Sequence, residues 1–254
     1  MIPLKTPQEI ETMQENGRIL SVILNKVKHQ AKPGVSTLEL AEYAHKEIRL
    51  AGAESAFLGY RDFPGAICIS LNDEVVHGIP SSSRIIQPGD LLKLDIGLKR
   101  NGFYSDMAET IFLGDNPPVE VTNLMQITWK ALEAGIGNLI PGNTLGKVSQ
   151  SMQDTIETSG LSVVKRFVGH GIGRKLHEKP PVPNFGTPEE GPRLEIGMVL
   201  AIEPIATYGD PEIAIKQDGW TAIMVSGALS AHFERTVAIT PQGPRILTST
   251  CQAG

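Results

Sequence analysis

Two acidic residues end apolar runs in the sequence, and their placement suggests shared chemistry. Asp95 closes the run LLKLD, and Glu203 closes the run MVLAIE. A carboxylate that ends a buried strand is costly, because an unpaired buried charge either loses its hydration or shifts its pKa. One such residue is typically a salt-bridge partner or a cap, whereas two that converge need a neutralising cation. Lysine or arginine could supply that charge, and a divalent metal would supply it better.

Three further residues could join these two carboxylates. Asp106 follows Asp95 by eleven residues, so a strand–turn–strand hairpin would bring the two side by side. Glu234 enters a strand-like run in SAHFERTVAIT, and His170 lies in FVGHGIGRKLHEKP. Considered singly, Asp106 is typical of a turn and Glu234 of a strand edge. Considered together, the five residues form an oxygen-rich ligand set with one imidazole.

The glycines around His170 favour a close backbone approach over a nucleotide site. Their alternation in GHGIG matches neither the G-x-G-x-x-G fingerprint nor a P-loop. The zinc-helix pattern H-E-x-x-H is also absent, since Pro181 stands four residues after His177. One imidazole with four carboxylates suits manganese, iron or cobalt better than a thiolate zinc site, although ligand type leaves zinc open. Five ligands crowd one ion and suit two ions that share bridging carboxylates.

Two other histidines are not needed as ligands. His77, in NDEVVHGIP, precedes a Gly-Ile pair as His170 does, and His177 follows His170 by seven residues. Alone, a histidine after two valines is typical of a core or turn position. Beside a metal site, His77 and His177 could instead donate hydrogen bonds to a carbonyl oxygen.

Cap signals and apolar periodicity predict alternating pairs of helices and groups of strands. TPQE (6–9) and STLE (36–39) read as capping boxes, the first helix running to about Gln30 and the second stopping at Gly52. After Pro117 and Pro118, two more helices are predicted at about 119–136 and 145–159. Apolar runs predict strands at 66–70, 91–97 and 103–114, and near 162–168, 198–203, 212–215 and 234–240.

The same order of elements occurs twice, which predicts a duplicated α/β half. PGVSTLEL begins at Pro33 and PGNTLGKV begins 108 residues later, at Pro141; Asp95 and Glu203 share that separation. Two unrelated segments with one offset favour duplication over a chance recurrence of Pro-Gly before a helix cap. No linker or low-complexity segment separates the halves, at about 1–116 and 117–254. We expect one α/β domain packed across a pseudo-twofold axis.

Composition excludes several classes of protein. A chain of 254 residues with 41% hydrophobic and 20% charged residues is typical of a globular protein with a sizeable core. The net charge of −5 argues against a nucleic-acid surface. No run is long enough to span a membrane, and the polar start is unlike a signal peptide. With only Cys68 and Cys251, we expect no disulfide framework, no structural zinc module and a reducing cytoplasm.

Six segments resemble the signature segments of type I methionine aminopeptidases. In chain order they are NDEVVHGIP, LLKLDIG, FYSDMAET, GHGIGRKLHEKP, MVLAIEP and SAHFERTVAIT. The resemblance extends over nearly the whole chain, and its Asp-Asp-His-Glu-Glu set is shared with the wider pita-bread metallopeptidases. It implies the pita-bread fold, in which two pseudo-twofold-related α/β halves surround a central antiparallel sheet.

The resemblance implies two divalent ions, drawn from manganese, iron, cobalt and zinc, and a division of the ligands between them. Asp95 would hold one ion, and His170 with Glu203 would hold the other. Asp106 and Glu234 would bridge the two ions.

The resemblance also implies which side chains act on the substrate. His77, His177 and Glu203 would be catalytic, with Glu203 accepting the proton of the attacking water and the two histidines contacting the substrate. Asn72 and Ser230 match positions that bind a monovalent cation in the family. The methionine pocket would be lined by Tyr60, Phe63, Cys68, His77 and Trp220.

These implications predict a cytoplasmic metallo-aminopeptidase that removes the initiator methionine from nascent chains when the second residue is small. We expect a monomer with transient ribosome association and no specificity for nucleic acid or membrane. Another pita-bread aminopeptidase or a proline dipeptidase is an alternative, and so is a non-catalytic binding protein, a class that typically loses ligands. Leu176 and Met107 depart from the family's usual aromatic residue and threonine, and Leu176 bears on the pocket shape.

Overall fold

Four helices flank the sheet in the structure, a computed structural model that describes residues 1–249. They are α1 (Pro7–Gln30), α2 (Thr37–Leu50), α3 (Val119–Gly137) and α4 (Leu145–Glu157). The two predicted capping boxes are present at Thr6 and Ser36, where Glu9 and Glu39 accept from the cap backbone in return. None of the described helices combines the length and apolarity that a bilayer crossing requires. Cys251 lies outside the described residues.

Fourteen strands are described, and half of them match the predicted runs. The predicted strand near 162–168 is correct only for its first two residues, and the run from 103 ends at Phe112. The sequence interpretation did not predict the remaining seven strands, which have two to five residues each. In chain order the strands are β1 (Glu54–Ser55), β2 (Cys68–Leu71), β3 (Leu91–Arg100), β4 (Phe103–Phe112), β5 (Ser162–Val163), β6 (Gly169–Gly171), β7 (Glu178–Val182), β8 (Val199–Ile202), β9 (Ile205–Thr207), β10 (Ile213–Ile215), β11 (Ala222–Met224), β12 (Ser230–His232), β13 (Glu234–Thr240) and β14 (Gly243–Ile246).

The main sheet is antiparallel and nearly symmetric about its centre. Its strand order is β1-β3-β4-β13-β8-β6-β7, with β2 added to β3 and β14 added to β13. β4 and β13 meet in the middle, and the next strand outward on each side, β3 or β8, positions a candidate ligand. The expectation that an acid ends each strand is correct only for Glu203, which directly follows β8; Asp95 lies in the middle of β3, which continues to Arg100. The expected architecture, two α/β halves around a central antiparallel sheet, is confirmed.

Backbone hydrogen bonds repeat between the halves with the spacing found in the sequence. Gly34 N–H donates to Ile86 O at 2.9 Å, and 108 residues later Gly142 N–H donates to Leu194 O at 2.9 Å. Helices α2 and α4 begin at equivalent positions, as do strands β3 and β8. The 108-residue offset therefore relates segments that are similar in local structure as well as in sequence.

The helices cover one face of the sheet and leave the other face for the site. Leu94 and Ile96 on β3 pack with Leu20 of α1 and Leu40 of α2 in one apolar cluster. A second cluster joins α3 and α4 to β8 and β13. Because side chains alternate along a strand, Asp95 points away from the helices that its neighbours contact. Burying each large aliphatic side chain contributes about 1.5–3 kcal/mol to the free energy of folding. These contributions determine which face of the sheet packs against the helices.

A tight hairpin sets the register of the two longest strands. Arg100 pairs with Phe103, and the two residues between them, Asn101 and Gly102, have φ angles of 52° and 79°. Asn-Gly with positive φ at both positions is typical of a type I′ turn. A register slip of one residue would turn every side chain to the opposite face, so this turn decides which side of the sheet is acidic.

The alternating glycines of GHGIG are required where β6 lies between its neighbours. A Cβ at Gly169 would lie 2.3 Å from Ala201 O, and a Cβ at Gly171 would lie 2.3 Å from Lys179 O. Both contacts are with backbone, which cannot swing aside as a side chain can. These glycines therefore admit two flanking strands, as their spacing suggested.

We expect Gly171→Ala to lower the free energy of unfolding by roughly 1–3 kcal/mol or more, because the methyl group displaces the Lys179 backbone. Gly137→Ala, at the end of α3, is the matched control: its Cβ meets nothing within 4 Å. The control should leave stability unchanged or raise it by up to about 1 kcal/mol. Urea unfolding of both variants measures the difference, and equal midpoints would contradict the steric explanation.

Candidate metal centre

The sheet register places the acidic side chains on one face. Asp95 pairs with Ala108, and Ala108 pairs on its other side with Glu234. Ile202, the last residue of β8, pairs with Arg235, so Glu203 lies opposite Glu234. Directly opposed residues share a face, and three strands therefore present Asp95, Glu234 and Glu203 in one row.

Asp106 and His170 join this row from neighbouring positions. Asp106 precedes Ala108 by two residues and pairs with Gly97, so it lies diagonally across from Asp95 and not directly beside it. His170 pairs with Ala201, two residues before Glu203. The missing side chain at Gly97 leaves room for the carboxylate, since a Cβ there would lie 3.3 Å from Asp106 Oδ1.

The five predicted ligands line a single cavity of about 190 Å³. One potential ligand atom from each of Asp106, His170 and Glu234 lies within 4.8 Å of the others. His170 Nε2 lies 3.9 Å from Glu203 Oε1. The structure thus brings together residues that the sequence spreads over 140 positions, from Asp95 to Glu234.

Burial and mutual repulsion make this cluster electrostatically unfavourable without a cation. Burial raises the pKa of Asp95 to about 7. Burial also raises the pKa of Asp106 and Glu203, and the charge of Asp95 raises both further. For Glu234, burial and then repulsion by Asp106 raise the pKa, against a smaller opposing effect of Arg235. Groups that resist ionisation in this way bind a divalent cation with release of protons.

Two features show that the donor set fits a divalent metal. Asp106 Oδ1 and Glu234 Oε1 are buried oxygens without a hydrogen-bond partner among the described residues. His170 Nδ1 lies 2.9 Å from Gly171 O, and a carbonyl only accepts, so Nδ1 carries the proton and Nε2 keeps its lone pair. Burial lowers the pKa of His170 to about 3, which keeps the ring neutral at neutral pH.

An aromatic wall closes the other side of the cavity. The ring of Trp220 meets Phe63 edge-on at 5.1 Å between centroids and His77 at 6.1 Å. Cys68 is buried in the same wall, and burial followed by the charge of Asp95 raises the pKa of its thiol. Leu176, at the position where the family usually has an aromatic residue, is also buried against the cavity. Every predicted pocket residue lines this space.

The two remaining predicted histidines lie at the cavity with different supports. His177 Nδ1 lies 2.8 Å from the Tyr60 hydroxyl, and its ring centroid is 4.2 Å from that of His170. His77 has a φ of 59°, a conformation that side-chain-bearing residues rarely adopt and that is typical of functional sites. Burial, with a smaller effect of His177, lowers the pKa of His77 to about 4.

Among the cavity residues that the sequence interpretation missed are His232 and Phe167. His232 Nε2 lies 3.8 Å from Glu203 Oε2, and neither of its ring nitrogens has a hydrogen-bond partner among residues 1–249. Phe167 packs edge-on against His77, with 5.1 Å between ring centroids. Strand alternation was the available signal for His232, because it precedes Glu234 by two residues in SAHFERT.

The predicted monovalent-cation residues lie outside the cavity wall. The carbonyl oxygens of Asn72 and Ser230 accept hydrogen bonds from Lys93 Nζ, at 2.6 and 3.1 Å. Burial lowers the pKa of Lys93 to about 7, against a smaller opposing attraction to Glu74. A metal cation at this position would compete with the lysine for the same two oxygen atoms.

Comparison with known proteins agrees with this geometry. The model of metallopeptidase family M24 matches residues 11–241. The methionine aminopeptidase of Clostridium perfringens is 46% identical over 98% of this chain and 99% of its own length. Methionine aminopeptidase 1 of Bacillus subtilis is 44% identical over 98% of this chain and 99% of its own length.

A solved structure gives the same result in three dimensions. Methionine aminopeptidase from Thermotoga maritima superposes with a TM-score of 0.95 at 40% identity, covering 98% of this chain and 100% of that one. The similarity therefore extends over both halves of the sheet and all five candidate ligands, which lie inside the matched range. The chain belongs to metallopeptidase family M24 and, within it, to the type I methionine aminopeptidases.

Proposed function

We propose that this chain removes the N-terminal methionine from peptides and nascent proteins whose second residue is small. The observation that carries this proposal is the cavity itself, in which a four-carboxylate, one-imidazole donor set faces an aromatic wall. The donor set supplies hydrolytic chemistry, and the wall selects the side chain. In a proline dipeptidase the aromatic wall would need another purpose, and in a non-catalytic binding protein the donor set would need one.

Two divalent ions are proposed at the donor set. Asp95 would hold one ion, His170 and Glu203 would hold the other, and Asp106 and Glu234 would be shared by both. When bound, such ions lower the pKa of water toward neutrality and polarise a substrate carbonyl. The orphaned oxygens of Asp106 and Glu234 support the bridging role, because each carries acceptor capacity that no described protein donor uses.

Glu203 is proposed as the residue that moves the proton. Its carboxylate accepts a proton from the attacking water and later returns it to the leaving amine. The position supports this role, because the Glu203 oxygens lie between the rings of His170 and His232, at 3.9 and 3.8 Å from their Nε2 atoms.

His177 and His77 are proposed to orient the peptide and stabilise the developing negative charge. A neutral imidazole donates from one nitrogen only. If the Tyr60 hydroxyl donates to His177 Nδ1, the proton of His177 lies on Nε2, where it can be given to a substrate oxygen. The lowered pKa values of both histidines support neutral rings, burial being the main cause in each case.

The wall supports a preference for methionine. An unbranched thioether adapts to an irregular apolar pocket and gains from sulfur contacts with aromatic ring edges. The edge-on pair Phe63–Trp220 presents such edges, and Cys68 adds a soft, uncharged neighbour.

The remaining proposals concern the setting of the reaction. We propose a single catalytic domain formed by duplication, which the repeated hydrogen bonds of the two halves support. We further propose a cytoplasmic monomer that associates transiently with ribosomes, since nascent chains are its proposed substrates.

A panel of Met-X peptides tests the function. Met-Gly and Met-Ala peptides should be cleaved, and Met-Leu or Met-Arg peptides hardly at all, under each of manganese, iron, cobalt and zinc. Rates are read from the methionine released. Equal rates across the panel would contradict the pocket assignment, and cleavage of X-Pro peptides in place of Met-Gly would favour the proline dipeptidase.

Glu203→Gln separates metal binding from proton transfer. Glutamine keeps the shape and one oxygen, so metal binding should weaken but survive at high manganese. It cannot accept a proton at neutral pH, so turnover at saturating metal should fall by roughly 10²–10⁴-fold. Turnover is measured against manganese concentration, with bound metal counted in parallel. The exposed Glu212→Gln is the control, and full recovery of Glu203→Gln by added metal would show that Glu203 is only a ligand.

Metal binding should release protons. The metal-free carboxyl groups hold protons near neutral pH, because their pKa values are raised, to about 7 for Asp95. The ion displaces those protons, so manganese affinity should rise as the pH rises through the folded-state pKa values. His170 is neutral throughout and contributes nothing. Calorimetric titration in two buffers of different ionisation enthalpy counts the protons, and we expect at least one per chain at pH of about 7. An affinity independent of pH would refute the protonated cluster.

A further inference from the structure

Lys93 is a fully buried lysine that the proposed reaction does not use. It lies in β3 within the apolar run LLKLD, and 1% of its surface is exposed. Its Nζ donates to Asn72 O at 2.6 Å and to Ser230 O at 3.1 Å. Both acceptors are backbone carbonyls, whereas a buried lysine usually meets a carboxylate. The environment is thus one of oxygen dipoles, which is how proteins hold a bare monovalent cation.

The first acceptor, the Asn72 carbonyl, is positioned by contacts that do not involve Lys93. Asn72 has a φ of 54°, and its side-chain oxygen accepts from Leu91 N–H at 2.9 Å. Its amide donates to Asp90 Oδ1, also at 2.9 Å. These contacts fix the turn after β2 and direct the Asn72 carbonyl inward, so the oxygen position is a property of the turn.

The second acceptor belongs to the other half of the chain. Ser230 begins β12, its N–H donates to Asn72 O at 3.4 Å, and its hydroxyl donates to Glu74 O at 3.4 Å. β12 leads directly into Glu234, and the turn at Asn72 leads into His77. The Lys93 nitrogen therefore joins two segments that carry proposed site residues from opposite halves of the molecule.

We propose that the Lys93 side-chain nitrogen occupies the carbonyl-lined position in place of a monovalent metal cation. An amine has N–H groups for both carbonyls in either protonation state, so the two hydrogen bonds do not depend on the charge of the nitrogen. The sequence expectation of a cation at Asn72 and Ser230 is thereby met by a side chain. The fold then needs neither sodium nor potassium.

Thermal unfolding in three chloride salts tests this proposal at equal ionic strength. The wild-type Tm should be the same in potassium, sodium and choline chloride. Lys93→Ala removes the nitrogen and leaves space, so its Tm in choline should fall by on the order of 10 °C and recover partly in potassium or sodium. Lys93→Met fills the space without a donor and should not recover in any salt. The exposed Lys147→Ala is the control and should match the wild type.

Sodium-23 NMR relaxation of the wild-type protein gives a measurement that needs no variant. The expected result is no saturable sodium signal, and saturable binding that competes with potassium would overturn the proposal. A wild-type Tm that rises in potassium or sodium but not in choline would overturn it as well. So would a Lys93→Ala protein that loses stability and recovers in none of the salts, because the carbonyls would then form no cation site.

Discussion

Repulsion among four carboxyl groups, two of them buried and two half-buried, is the constraint on which the structure depends. Asp95, Asp106, Glu203 and Glu234 share one cavity, and burial alone raises the pKa of each. A fold that gathers such groups must hold them against their mutual repulsion and must do so with rigid elements. Here the antiparallel sheet does the holding, since all four lie on strands or one residue beyond a strand end, with helices packed on the opposite face. Because the negative charges of these carboxylates repel one another, the site favours binding of a divalent cation.

The near-symmetry of the sheet explains how so many carboxylates reach one place. Asp95 and Glu203 occupy equivalent positions in the two halves, and β4 and β13 meet between them at the centre. Each half therefore needs only one apolar strand that positions an acid, within β3 for Asp95 and just after β8 for Glu203, and the central pairing of the halves brings the two acids together. His170, the one histidine of the proposed ligand set, breaks the symmetry, and its Nδ1 contact with Gly171 O fixes which nitrogen faces the cavity.

Local signals predicted the parts of this structure whose partners are close in sequence. The four helices and the β3–β4 hairpin follow from capping boxes, apolar period and the turn at Asn101–Gly102, all of which act within a few residues. The ligand set was predictable because a carboxylate at the end of an apolar run is unusual. Strands β6 and β7 were not predictable from local signals. Two of the three residues of β6 are glycines and two of the five residues of β7 are prolines, and such segments form strands only when they pair with other parts of the chain. His232 was missed although it precedes Glu234 by two residues, because only the pairing of β12 with β9 shows that the intervening strand continues the alternation toward the cavity.

Lys93 shows why charge alone could not identify the neutralising cation from the sequence. It stands two residues before Asp95 on the same strand, near enough in sequence to have paired with the acidic cluster. Its nitrogen is instead engaged by the carbonyls of Asn72 and Ser230. A lysine ammonium inside the cluster would lower the pKa values of the carboxylates and compete with a divalent ion for them. By directing Lys93 to neutral oxygen dipoles, the fold stabilises the junction of its two halves and leaves the negative charge of the carboxylates available to metal.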